Sequence, residues 1–204
     1  MLLLGSLSGG GAERVAVNLV NRCDPALVDL RLGLLRRSGP FLAEVDPGRV
    51  DAPSDRAASP WDVIQAPLDI ARMVRAGRPQ VVMSFGMGVN MLTWLALRGL
   101  GRDRPGWICR EDSNTDVEID NLLTNPAGRA VVRRARTRIY RSADCLLAVA
   151  HDLASMLERR TGPGRGRTRV IRNPIDVARI ERAAAESLAW PPERPFIVAA
   201  GRLE

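Results

Sequence analysis

The sequence has no lysine: all 30 basic residues are arginine, set against 23 acidic ones for a formal net charge of +7. Arginine, alanine, glycine and proline are frequent together, as coding bias produces, so the charge reads first as solvated arginine rather than as a nucleic-acid surface. Cationic steering of acidic substrates or of an anionic lipid surface stays open. Cysteine is scarce. Cys23, Cys109 and Cys145 lie far apart in apolar surroundings with no Cys-x-x-Cys pair, which argues against a disulfide framework or a thiolate metal site and for buried thiols. His151 is the single histidine, so no histidine metal cluster can form. Long apolar runs are missing as well. Met91–Leu97 and Cys145–Ala150 are too short to span a bilayer, and Leu2–Leu4 lacks the length and the preceding positive charge of a signal peptide. A cytoplasmic protein is the expectation.

What is present is enough apolar material for a packed core, 46% of 204 residues, in one substantial domain with a fragment of a second. The chain is organised around Ser6-Leu7-Ser8-Gly9-Gly10-Gly11-Ala12-Glu13-Arg14, between the apolar runs Met1–Leu4 and Val15–Val20. An apolar run, three glycines and then a helical period read as strand, tight turn, helix. Such a turn lets the backbone approach a ligand closely, and the new helix offers free N–H groups to a phosphate. It is also what any doubly wound fold needs merely to turn sharply, and both readings stand at this point.

Further along, Val28, Leu30, Leu32 and Leu34 alternate as a strand does, and residues 38–60 read as loop with a short strand near Val50. A helix from about Trp61 places Ile64, Leu68, Ala71 and Val74 on its inner side and ends at Gly77–Pro79. Val81–Phe85 reads as a strand covered on both faces, Gly86–Gly88 turns it into a helix over Asn90–Leu100, and Trp107–Arg110 is the next strand. A polar stretch, Glu111–Asp120, precedes a helix over Gly128–Arg141. Strand Cys145–Val149, helix His151–Arg160, strand Arg169–Ile171 and a helix capped by Asp176 follow. This repeated β-α alternation predicts a Rossmann-like, doubly wound parallel sheet. Ligands of such sheets sit at the carboxyl ends of the strands, which makes Gly9–Gly11, Ser84–Gly88, Arg110–Asn114, Ala150–Asp152 and Arg172–Asp176 the candidate site.

Three segments in order, Ser8–Arg14, Ile171-Arg172-Asn173-Pro174-Ile175-Asp176 and Ala200-Gly201-Arg202-Leu203-Glu204, resemble the amino-terminal half of a family 4, GT-B type, retaining glycosyltransferase. Arg110-Glu111 with Asn114, and Ser142–Val149, fit the same template. The resemblance implies a two-domain enzyme that transfers a sugar from a nucleotide-diphosphate sugar to a sugar, polysaccharide or lipid-linked acceptor, with the active site between two Rossmann-like halves. It assigns Gly10, Gly11 and Arg202 to the donor's phosphates and sugar. It assigns Gly9, Arg110, Glu111, Asn114 and Asn173 to the acceptor cleft, with Arg110, Glu111 and His151 as catalytic candidates. No metal or other cofactor is expected. Residues 1–190 would form the acceptor-side domain, and residues 191–204 a linker and the first strand, Phe196–Ala200, of a donor-binding domain otherwise absent from the sequence. The Lys-Gly segment and the two glutamates eight positions apart that follow Gly-Arg-Leu in the family are missing, so the chain alone is expected to be inactive. Members also usually begin a few residues earlier, and many carry serine where this chain has Ala150.

Two other classes compete. In an NAD(P)-dependent oxidoreductase the glycines should be spaced G-x-G-x-x-G, but the third falls on Arg14, and Asp29 is a strained choice for the ribose acid. The second is a non-catalytic binding module. Gly128–Arg141 is amphipathic, with Val132, Ala135 and Ile139 on one side and Arg129, Arg133 and Arg136 on the other. It reads as a solvated outer helix, with docking on an anionic membrane as the alternative. His151 reads as a solvent-exposed helix start or a general base, and the scattered Trp61, Trp94, Trp107 and Trp190 as packing residues rather than a sugar platform.

Overall fold

The computed structural model describes residues 1–53, 62–162 and 167–187. The chain divides into two compact units, Met1–Pro174 and Ile175–Glu204.

The first unit is built on a parallel sheet of seven strands: β1 (Leu2–Leu4), β2 (Leu32–Leu34), β3 (Val50–Asp51), β4 (Val81–Phe85), β5 (Gly106–Glu111), β6 (Cys145–Ala148) and β7 (Thr168–Val170). Three consecutive buried leucines make β1, as a strand covered on both faces requires. Its side chains alternate: Leu2 and Leu4 enter a cluster with Val15, Val20, Leu32 and Leu34, while Leu3 enters another with Ile70, Val82 and Trp107. Every strand pair is parallel, in the order β3-β2-β1-β4-β5-β6-β7. From the β1–β4 pair the chain winds outward in both directions. That pair is the topological switch point of a Rossmann-like doubly wound fold, as the sequence predicts.

The connecting helices are α1 (Gly11–Arg22), α2 (Asp62–Gly77), α3 (Met87–Arg98), α4 (Thr115–Leu122), α5 (Pro126–Ser142) and α6 (His151–Thr161). In the second unit α7 spans Val177–Ala184, and the Asp176 carboxylate accepts from the Arg179 N–H as its cap. No helix among the described residues is long and apolar enough to cross a membrane.

Four local readings change. Strand β2 is only Leu32–Leu34, and Val28 is half-exposed outside it. On α2 the buried residues are Ala66, Ile70, Ala71, Met73 and Val74, whereas Ile64 and Leu68 are exposed, because the buried arc of the helix is centred on Ala66, Ile70 and Val74 and these two project beyond its edge. The polar stretch after β5 contains α4, whose buried Thr115 and Ile119 anchor it. On α5 Ala135 faces out and Arg136 is buried, because α4 supplies Asp116 and Thr115 as its partners. Trp61, Trp190 and Phe196–Ala200 lie outside the described residues.

Candidate functional site

At the carboxyl ends of β1 and β4 two glycine turns start α1 and α3. The first turn is tied to the segment after β2: the Leu7 N–H donates to the Ser38 carbonyl at 2.9 Å, and the Phe41 N–H to the Leu7 carbonyl at 3.4 Å. Gly39 makes this closeness available. Its φ is +114°, and a Cβ there would overlap the Leu7 carbonyl. Arg14 completes the brace, donating twice to the Glu44 carboxylate at 2.5 and 2.8 Å with its guanidinium 3.7 Å from the Phe41 ring centre.

Gly10 caps α1 and Gly86, with φ +77°, caps α3; neither helix start has a side-chain cap. By contrast α4 and α5 carry the Asn114 and Asn125 side chains on their first N–H groups. Two positive helix ends with uncapped N–H groups therefore flank the switch point. They are not equivalent. The Glu13 carboxylate folds back over Gly10, where a Cβ would overlap it, so α1 carries its own negative charge at its start. The first turn of α3 has no acid, and a Cβ at Gly86 or Gly88 would meet nothing within 4 Å.

Beside this pair, the end of β5 is held by a buried polar network. Fully buried Asn90 accepts from Ser84 Oγ at 2.5 Å and donates to the Arg110 carbonyl at 3.0 Å and to Glu111 Oε1 at 2.7 Å. Tyr140 Oη donates to the same Glu111 oxygen at 2.7 Å, and the Trp107 indole N–H donates to Ser84 Oγ at 2.8 Å. Burial, and then the charge of Glu111, push the Tyr140 phenol far above its ordinary pKa, so it stays a donor. Burial also raises the Cys109 thiol well above its usual range. Arg136 extends the network, donating to Thr115 Oγ1 at 2.7 Å and to Asp116 at 2.6 Å.

Arg110 is only 3% exposed. Its guanidinium lies 4.5 Å from the Phe85 ring centre, pairs with Asp112 at 2.6 Å and donates to Asn173 Oδ1 at 2.6 Å. Burial lowers its pKa, against the pull of Asp112 and Glu111.

The structure thus gathers Gly9, Gly10 and Gly11 at one turn, and Arg110, Glu111, Asn114 and Asn173 at the ends of β5 and β7. Glu111 is fully buried and Arg110 spends its donors inside the protein; Asn114 and Asn173 are both exposed, but the Asn114 side chain is taken up in capping α4. His151 opens α6 and is exposed. Arg202 lies outside the described residues. Asn90 and Tyr140 were not singled out from sequence, whereas Ser84 opens the candidate stretch Ser84–Gly88. The available signal was an asparagine at a core position of an otherwise apolar helix. Cavities of about 660 and 630 Å³ lie elsewhere, between α2 and β3 and at the amino ends of β1 and β4. No cluster of three metal-binding side chains occurs among the described residues.

A family model described as Glycosyltransferase Family 4 matches residues 9–179. No curated protein matches the chain. The UDP-GlcNAc 2-epimerase of Methanocaldococcus jannaschii superimposes with a TM-score of 0.51 at 12% identity, over 85% of this chain and 46% of that one. MurG of Acinetobacter baumannii superimposes with a TM-score of 0.48 at 15% identity, over 87% of this chain and 46% of that one. The likeness to the epimerase is one of fold alone, and the chain spans just under half the length of each of these proteins.

Proposed function

The chain belongs to glycosyltransferase family 4, and we propose that it forms the acceptor-side half of an enzyme that moves a sugar from a nucleotide-diphosphate sugar to an acceptor with retention at the anomeric carbon. The observation that carries this reading is the pair of glycine-capped helix starts on either side of the switch point, the one at Gly86 free of any acid in its first turn and the one at Gly10 shared with the Glu13 carboxylate. A leaving diphosphate needs positive charge placed in advance, and backbone N–H groups with an arginine fork supply it without proton chemistry. Gly10 and Gly11 would face the donor's phosphates and sugar, joined by Arg202, while Gly9 and Asn173 would line the acceptor side. Arg110, Glu111 and Asn114 then shape that side from beneath, and His151 stands at its rim.

The acceptor is a sugar, a polysaccharide or a lipid-linked sugar. A lipid-linked acceptor would bring the otherwise cytoplasmic enzyme to the inner face of a membrane, where outward arginines of α5 would meet anionic lipid.

The test is to titrate UDP-glucose, GDP-mannose and NADH separately into the isotope-labelled chain and follow the Gly9–Gly11 and Gly86 amide resonances. The expected result is that a sugar nucleotide moves them and NADH does not; the reverse overturns the reading. Transfer itself is expected only with a donor-binding half present, with retention read from the anomeric coupling constant of the product.

A further inference from the structure

We propose that Arg110 locks the Asn173 amide so that Asn173 offers only hydrogen-bond donors to the crevice, and that Asn173 thereby selects an oxygen acceptor on the ligand. A guanidinium has donors and no acceptor. Arg110 Nη2 lies 2.6 Å from the Asn173 amide oxygen, and the flipped amide would set N–H against N–H. The usual ambiguity between the two ends of an asparagine side chain is therefore removed, and Nδ2 with its two protons points away from Arg110.

Arg110 cannot turn aside, because it is almost wholly buried, ion-paired with Asp112 and stacked on Phe85. Nor is the backbone of Asn173 free, since the following Pro174 confines it to extended conformations. Asn173 itself is exposed at the carboxyl end of β7, on the edge of the sheet where ligands of this fold bind. A buried cation thus spends one of its few donors on orienting a surface amide. The chemistry this recognises is an oxygen with lone pairs and no proton to give in that direction: a phosphate oxygen, or the oxygen of a sugar hydroxyl. The proposal rests on the glycosyl-transfer reading only in taking this crevice as the ligand's place.

Asn173→Asp tests it in the 204-residue chain. The carboxylate still gives Arg110 an oxygen and turns the hydrogen bond into an ion pair, but removes both N–H groups. The melting temperature is expected to hold or rise, while affinity for the probe falls about tenfold or more. A purely structural role for Asn173 would not split stability from binding in this way. The probes are inorganic pyrophosphate and methyl α-glucoside, followed by NMR titration. A loss confined to pyrophosphate assigns the amide to a phosphate oxygen, and one confined to the glycoside assigns it to a hydroxyl; either supports the proposal. Arg110→Met should move the Asn173 side-chain NH2 resonances and weaken the same probe less than Asn173→Asp does. Unchanged affinity in Asn173→Asp, or a wild type that binds neither probe, overturns the proposal, and sugar transfer by the same protein would leave the wider reading intact. Asn173-dependent binding without any response to sugar nucleotides does the opposite.

Discussion

Gly39 holds the first glycine turn in place although it belongs to a different loop. Its left-handed φ costs any other residue about 1–3 kcal/mol, and a side chain would also have to push back the Leu7 carbonyl. Gly39→Ala is therefore expected to destabilise the protein by at least about 2 kcal/mol in urea unfolding. Gly11→Ala is the matched control. A Cβ there meets nothing within 4 Å, and the position is the first of a helix, so stability should stay within about 0.5 kcal/mol of wild type. Equal losses in the two variants would refute the difference drawn between them. Tyr140→Phe probes the buried network in the same terms. It takes a short hydrogen bond from the fully buried Glu111 carboxylate, for an expected loss of about 1–3 kcal/mol.

Among the elements, α4 depends most on charge. Asp116 accepts from Arg136 at 2.6 Å and from Arg160 at 2.8 Å, and Asp120 accepts from Arg133 at 2.6 Å, so one short helix is latched to both α5 and α6. Burial pushes the Asp116 carboxyl up, but its bonds to Arg136 and Arg160 outweigh that and hold it below its ordinary value. The hydrogen bond from Arg104 does the same for Asp144. A carboxyl depressed on folding stabilises the native state above its unfolded pKa, about 3.9, and loses that contribution as pH falls through the folded value. Wild-type stability should therefore fall steeply below about pH 4, and Asp116→Asn should flatten that limb while lowering stability at neutral pH. An unchanged acid limb would show that the latch contributes nothing. The same helix marks the limit of what the sequence discloses. Val81–Phe85 was legible as a strand because four of its five residues are apolar, as burial on both faces requires, although Val81 at its start is exposed and Ser84 turns its hydroxyl into the buried network. Helix α4 was not, because its partners are arginines far along the chain and its own pattern is polar. For the same reason Arg136 looked like part of a solvated face. At the site, the glycine turns could be read from backbone chemistry alone, whereas the buried Glu111 carboxylate depends on Asn90 and Tyr140 from two other helices, and Arg110 on Phe85, Asp112 and the distant Asn173.

At the scale of the whole molecule, a net charge of +7 is not spread evenly. Arg14, Arg31, Arg104, Arg133, Arg136 and Arg160 are each committed to an acid within the fold. Arg134 and Arg138, by contrast, are exposed on α5 and form no ion pair among the described residues. With Val131, which is 68% exposed, they lie at helical spacing on one outward strip, charged side chains beside an apolar one. The face that would meet a bilayer is therefore this strip, and not Arg129, Arg133 and Arg136, which pair with the acids of α4 or with its backbone. Each arginine near an anionic surface contributes about 1 kcal/mol, screened within a Debye length. If the acceptor is lipid-linked, the chain should float with phosphatidylserine vesicles at low salt, and Arg134→Gln with Arg138→Gln should weaken that binding about thirtyfold, whereas Arg133→Gln should not. Binding that survives high salt, or that ignores the double variant, would remove the membrane from the proposed function and leave a soluble acceptor.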